Sequence, residues 1–319
     1  MFRYTKMELA EMAEKLNFVR DTLEKVIRLT EVLDYLNGHW ATKGKLALKG
    51  GTAINLIVFD LPRLSVDIDL DYYGDESSEV MLRRRNKITD NLIDFMKKQG
   101  YEKYENGCRS RHSLDSFVFA YKNSGGVRDN LKIEINYSLR KHLFELDSKL
   151  CIFGDEVRTS NEILVLKPME LFAAKINALL SRAAARDLYD VNNAIEANLF
   201  SGEQEREVLR KSIVFYTAVS QEIIPEGYAV ENIDKITTRK IKSDLVPVIH
   251  KKKFIELVKM QKVVKEYLSG LLVLNDSENE FLRLFKKKIY KPELLFDDND
   301  ILERIKDHPM ILWKLQNHS

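Results

Sequence analysis

Between residues 6 and 35 the apolar positions recur at helical spacing. Leu9, Met12, Leu16, Val19, Leu23, Val26, Ile27 and Leu33 form one stripe, which predicts one or two amphipathic helices. The apolar run Leu46-Ala47-Leu48, ending at Gly50-Gly51, predicts a short buried strand, with Thr52 capping a helix over residues 53–58. The pattern then switches to strict alternation. Val66, Ile68 and Leu70 fall on one face of a strand over residues 66–71, and Asp67 and Asp69 fall on the other. Residues 76–98 read as a charged surface helix stopped at Gly100. Residues 117–121 and 131–137 are strands joined through Asn123-Ser124-Gly125-Gly126, which predicts a hairpin with a longer loop, and residues 163–166 suit an edge strand. Pro168 opens a helix over residues 169–180, followed by a second helix or a continuation over 184–197. Beyond residue 200 the pattern is nearly all helical, broken near Pro225-Glu226-Gly227, Pro247 and Gly270. The expected class is α+β, with an α/β domain over residues 1–165 and an α-helical domain over 166–319.

Composition agrees with a globular chain. Of 319 residues, 45% are hydrophobic and 31% charged, enough apolar mass to bury a core. The net charge of +2 does not by itself call for nucleic acid. Cys108 and Cys151 match no metal or redox spacing, which fits a reduced, cytoplasmic protein. No apolar stretch is long enough to cross a bilayer, and the N-terminus lacks the apolar core of a signal peptide, so no membrane association is expected.

Four elements carry possible chemistry. Gly50 and Gly51 let the backbone approach an anion closely, with the amides of the next helical turn aimed at it, a hydroxyl from Thr52 and a charge from Lys49. The competing reading is an ordinary strand-to-helix turn. Asp67 and Asp69 emerge side by side on one strand face, where they repel each other unless a cation sits between them. Such a pair suits Mg²⁺, or Mn²⁺, bridging to substrate phosphates, and Ser65 is placed to donate to a phosphate oxygen. Glu134, flanked by Ile133 and Ile135, supplies a third carboxylate that completes a metal site or deprotonates an attacking hydroxyl, or is a solvent-facing glutamate paired with Lys132. If the helix from Pro168 is continuous, Lys175, Arg182, Arg186 and Asp190 fall within a narrow arc, with Asp187 about a third of a turn away. A basic stripe of that kind binds a triphosphate, or the same residues lace a surface helix through Arg186 and Asp190.

Taken in order, these residues resemble the AbiEii/AbiGii toxin family within the DNA-polymerase-β-like nucleotidyltransferase superfamily. The matching stretches are Gly50-Gly51-Thr52, Ser65-Val66-Asp67-Ile68-Asp69-Leu70, Lys132-Ile133-Glu134-Ile135, and Lys175-Ile176-Asn177-Ala178-Leu179 running on to Arg182 and Arg186-Asp187-Leu188-Tyr189-Asp190. The resemblance implies a nucleotidyltransferase-like mixed sheet flanked by helices and a helical C-terminal domain. It implies Mg²⁺ held by Asp67 and Asp69, NTP phosphates contacted by Gly50, Gly51, Thr52 and Ser65, and Lys175 and Asp187 in nucleotide binding and activity. It also implies the toxin of a toxin–antitoxin or abortive-infection system, with NTP as substrate. Some members of the family add nucleotides to the 3′ end of tRNA. The gap between the glycines and Asp67 is slightly longer than the usual superfamily spacing, and Glu134 stands where aspartate is common.

Net charge conceals an asymmetry that bears on the acceptor. From Lys235 to Lys291 there are fifteen Lys or Arg against six Asp or Glu, including Lys251-Lys252-Lys253 and Lys286-Lys287-Lys288. A basic face beside an NTP site suits a nucleic-acid acceptor, because phosphate neutralisation supplies most non-specific affinity. The leading expectation is Mg²⁺-dependent transfer of NMP to RNA, with tRNA first among acceptors. The rivals are transfer to a small molecule or protein hydroxyl, and a non-catalytic nucleotide-binding protein. No antitoxin-like segment is visible, so a neutralising antitoxin is expected to be separately encoded.

Overall fold

The computed structural model describes residues 2–111, 113–153 and 157–317, with Asn317 described in its backbone only. The chain divides into two units. The first comprises Met1–Arg140, Leu146–Leu166 and Pro247–Lys253, and the second comprises Lys141–Glu145, Lys167–Val246 and Phe254–Ser319.

The first unit opens with helices α1 (Lys6–Lys15) and α2 (Arg20–Gly38). Thr5 caps α1 through a reciprocal capping box with Glu8. The predicted apolar stripe breaks at Asn17, which takes a left-handed φ of 58°; Leu9, Met12, Leu23, Val26, Ile27 and Leu33 are buried, whereas Val19 flanks α2 and is 40% exposed. Strand β1 (Leu46–Lys49) runs directly into α3 (Gly50–Ala53), which continues as a π-helical turn over Ile54–Val58. Strand β2 (Asp67–Tyr72) follows, then helix α4 (Ser78–Lys98), capped by Ser77. The remaining strands are β3 (Glu102–Lys103), β4 (Arg109–Arg111), β5 (Leu114–Lys122), β6 (Arg128–Asn136), β7 (Asp147–Lys149), β8 (Ile152–Phe153), β9 (Val157–Arg158) and β10 (Ile163–Val165).

The mixed sheet runs β3-β5-β6-β2-β1-β10-β7, with β4 also pairing along β5. Pairs β2/β6 and β1/β10 are parallel, and the others are antiparallel. Strand β10 is not at the edge, as predicted, but lies between β1 and the polar strand β7. The alternation of β2 and β6 is resolved as expected. Ile68, Leu70, Leu131, Ile133 and Ile135 are buried on one face, and Asp67, Asp69, Lys132 and Glu134 are half-buried on the other. Helix α4 packs on the apolar face, where Arg85 grips the buried Asp115 with two hydrogen bonds of 2.8 and 2.6 Å.

The second unit is helical: α5 (Pro168–Arg182), α6 (Ala185–Glu196), α7 (Glu203–Ser220), α8 (Thr238–Lys240), α9 (Leu257–Leu271), α10 (Asp276–Lys286), α11 (Asn299–Ile305) and α12 (Pro309–Asn317). Among the described residues no helix is long and apolar enough to cross a membrane. Segment Lys141–Glu145 joins this unit because the buried Glu170 on α5 accepts from the Leu143 amide at 3.0 Å, contacts His142 Nδ1 at 3.2 Å and accepts from the Tyr216 hydroxyl. Within the lysine-rich stretch, Lys251, Lys252 and Lys253 belong to the first unit and Lys286, Lys287 and Lys288 to the second.

Candidate active site

The site in the first unit begins where β1 turns into α3. Gly50 has a φ of +68°, a conformation that costs little only for glycine. A Cβ there would lie 2.5 Å from Oδ2 of Asp69, and one on Gly51 would lie 2.8 Å from Nη2 of Arg63 and 3.0 Å from the Ser65 hydroxyl. The two glycines therefore leave room for an acidic side chain on one side and for a cation and a hydroxyl on the other. The helix starts at Gly50, so Lys49 holds the cap position and Thr52 lies inside the first turn, contrary to the predicted cap. Thr52 is buried, and its hydroxyl donates to the backbone carbonyl of Asp67, tying the bend to the start of β2.

Register places the carboxylates. Asp69 on β2 pairs with Lys49 on β1 and with Glu134 on β6; Glu134 in turn pairs with Ser116 on β5, and Ser116 with Arg109 on β4. Directly paired residues share a face. The row Lys49, Asp69, Glu134, Ser116 and Arg109 thus crosses the open face of the sheet. Asp67 pairs with Lys132 one row along. Asp67 and Asp69 are roughly 7 Å apart along β2, and Glu134 is one strand spacing, roughly 5 Å, from Asp69.

Two lysines are already engaged. Lys49 Nζ lies 2.5 Å from the buried Asp71 rather than reaching toward the bend as a free charge. Lys132 Nζ lies 3.0 Å from Glu134, so the alternative reading of Glu134 as a lysine-paired residue is found together with its alignment to Asp69. Among the described residues no three His, Cys, Asp or Glu side chains are gathered closely enough to enclose a metal ion. Asp67, Asp69 and Glu134 are nevertheless all oxygen donors on one face beside a bend without Cβ atoms, the ligand type a hard divalent cation takes.

Arg63 escaped the sequence reading. It is 2% exposed, and its Nη1 donates to the Leu64 carbonyl at 2.9 Å. Segment Pro247–Lys253 holds it in place. Arg63 forms a β-bridge with Ile249, and the Leu64 amide donates to the Val248 carbonyl at 2.6 Å. Its only sequence signal is a cation between Pro62 and Leu64 in a stretch without periodicity.

The second unit holds the other predicted residues. The helix is not continuous: Ala183 takes a left-handed φ of 47° and separates α5 from α6. The two helices fold into a hairpin, and Lys175 Nζ meets Asp187 at 2.8 Å and Asp190 at 3.1 Å. Arg182 grips Asp187 from the rim at 2.7 and 3.0 Å. Lys175, Asp187 and Asp190 are buried. Burial alone raises the Asp187 carboxyl, but Lys175 and Arg182 outweigh it and hold the group below the usual carboxylate range. Arg186 does not join a basic arc with Lys175 and Arg182, because its Nε donates to the Asp244 carbonyl at 2.7 Å.

A family model described as "Nucleotidyl transferase AbiEii toxin, Type IV TA system" matches residues 35–269. Among solved structures, MenT4, the nucleotidyltransferase toxin Rv2826c from Mycobacterium tuberculosis H37Rv, matches with a TM-score of 0.62 at 19% identity, over 89% of this chain and 98% of that one. It shares the fold. The Escherichia coli MS115-1 CdnC:HORMA-deltaN complex matches with a TM-score of 0.25 at 16% identity, over 90% and 93% of the two chains. No curated protein matches.

Proposed function

Because the chain belongs to the AbiEii family of nucleotidyltransferase toxins of type IV toxin–antitoxin systems, we propose that it transfers NMP from an NTP to a hydroxyl of RNA, with the 3′ end of tRNA the first acceptor to test. The chain is a nucleotidyltransferase by family; the acceptor and the metal are the proposal. The observation that carries it is the placement of Asp69 between Gly50 and Glu134, opposite one and against the other.

The backbone amides of Gly50, Gly51 and Thr52 and the hydroxyl of Ser65 receive the triphosphate. Asp67, Asp69 and Glu134 would hold Mg²⁺ or Mn²⁺, which would neutralise charge developing on the attacking and leaving oxygens. Glu134 takes the proton of the acceptor hydroxyl, whose oxygen bonds to the α-phosphorus as pyrophosphate departs. The resemblance assigns Lys175 and Asp187 to nucleotide binding and activity, Arg182, Arg186 and Asp190 are the further candidates for the triphosphate, and the buried hydrogen bonds of Lys175 and Asp187 support a positioning role within their own helix hairpin. A separately encoded antitoxin is the proposed partner.

The test incubates the purified protein with each labelled NTP, total tRNA and Mg²⁺ or Mn²⁺. Labelled RNA and one pyrophosphate per added nucleotide are expected, with both lost in EDTA. Label on a protein or small molecule instead of RNA overturns the acceptor, and no transfer from any NTP overturns the reaction.

A further inference from the structure

On the far side of Glu134 from the glycine bend, the sheet ends in a basic recess of about 340 Å³ lined by Arg109, Arg111, Ser116, Lys132 and Glu134. Three observations fix its character. The side chain of Ser110 turns to the α4 face, where it hydrogen-bonds Asp115 at 2.6 Å and Arg85 at 3.1 Å. Strand alternation then puts Arg109 and Arg111 on the open face, in rows with Ser116 and Leu114. Both arginines are exposed, and among the described residues neither makes an ion pair, whereas Lys132 is neutralised by Glu134. Two guanidiniums with no ion-pair partner among the described residues therefore stand beside the carboxylate that faces Asp69.

We propose that this β4 edge is where the phosphate backbone of a single-stranded RNA acceptor docks, holding its 3′ hydroxyl toward Glu134. The inference rests on the transfer reaction proposed above and names where its second substrate enters. The order along the row separates the two substrates. NTP phosphates belong at Gly50, Gly51 and Ser65, on one side of Asp69, and the arginine pair lies beyond Glu134 on the other. Arg109 is two strand spacings, roughly 10 Å, from Glu134. A guanidinium there reaches the phosphates next to the reacting end rather than the reacting hydroxyl itself. Guanidinium forks suit phosphate oxygens, and phosphate contacts position a strand without reading its sequence.

The experiment uses the full-length protein and a 5′-labelled single-stranded RNA with a free 3′ hydroxyl, titrated over a salt series. Replacing both arginines (R109A/R111A) should weaken binding at least tenfold at low salt. It should reduce the slope of log K against log salt by about 1.4, the value for two lost single-strand phosphate contacts. R109K/R111K should restore most of the slope, and the melting temperatures of both variants should match that of the unaltered protein. NTP binding, measured separately, should not change. An R109A/R111A protein that binds RNA with unaltered affinity and slope overturns the proposal, as does an unaltered protein that does not bind the RNA. Failure of the transfer reaction is distinguishable: it appears as lost NTP binding or absent product while arginine-dependent RNA binding persists.

Discussion

Asp69 and Glu134 stand directly opposite each other on the parallel strands β2 and β6, with Gly50 against the Asp69 carboxylate. Parallel neighbours this far apart in sequence are brought together only by the crossover through α4 and the β5–β6 hairpin, so the carboxylate pair exists only in the folded sheet. Asp67→Asn and Asp69→Asn should each lower transfer by about 10³-fold, the scale of ~4 kcal/mol of lost transition-state stabilisation. Neither should lower the melting temperature, because each removes one of two like charges sharing a face. Kinetics and thermal unfolding on the same preparations check both halves.

Glu134→Gln separates two roles. If the residue only answered Lys132, the change would cost no more than about 1 kcal/mol of stability, the value of a half-exposed ion pair, and leave turnover intact. As the proton acceptor it should cost 10²–10⁴-fold in kcat with little change in stability.

Gly50→Ala and Gly51→Ala should differ. The first forces a left-handed φ on a residue with a Cβ and drives that Cβ into Asp69, so about 1–3 kcal/mol of stability and nearly all transfer should be lost. At Gly51 the φ carries no such strain, and the crowding falls on the end of Arg63 and on Ser65. Its stability cost should be smaller, with the defect concentrated in the KM for NTP. Chemical denaturation and steady-state kinetics on both variants distinguish the two patterns.

Lys175→Met should be among the most damaging single changes in the second unit. It leaves Asp187 and Asp190 buried without the cation between them, a loss of about 3–5 kcal/mol. Asp187 adds a pH signature. Its folded pKa is depressed, so its stabilisation is fully present above its unfolded value, near 3.8, and is lost as pH falls through the lower folded value. Acid unfolding of the unaltered protein should steepen below about pH 4, and Asp187→Asn should flatten that limb while starting from a lower stability at neutral pH.

Much of the first unit was legible because local chemistry and fold agree there. Period-two alternation marks β2 and β6 around Asp67, Asp69 and Glu134, and a glycine pair after a short apolar strand marks the bend. What escaped was set by distant chain. Arg63 is fixed in part by Ile249 and Val248, contributed by a segment nearly two hundred residues later. Strand β4 is Arg-Ser-Arg, with no apolar alternation to announce it, and its face is decided by Asp115 and Arg85. Ala183 carries no helix-breaking chemistry, yet its left-handed turn converts a supposed basic stripe into the buried Lys175–Asp187–Asp190 cluster. Register and helix breaks of this kind are tertiary outcomes that spacing alone does not encode.

The proposed metal ligands make a prediction that does not depend on catalysis. Three acidic side chains on one sheet face raise the free energy of the folded protein through mutual repulsion, and a divalent cation bound there stabilises it by mass action. Mg²⁺ at about ten times its dissociation constant should add ~1.4 kcal/mol to the unfolding free energy, and Mn²⁺ should act alike. The same titration on Asp67→Asn or Asp69→Asn should show a much smaller rise, and on Glu134→Gln a partial one, because Lys132 already neutralises part of that carboxylate's charge. Differential scanning fluorimetry across a Mg²⁺ series, with Ca²⁺ and NaCl as controls for size and ionic strength, measures this directly. A rise of equal size in all four proteins would place the cation elsewhere and remove the metal from the Asp67, Asp69 and Glu134 face.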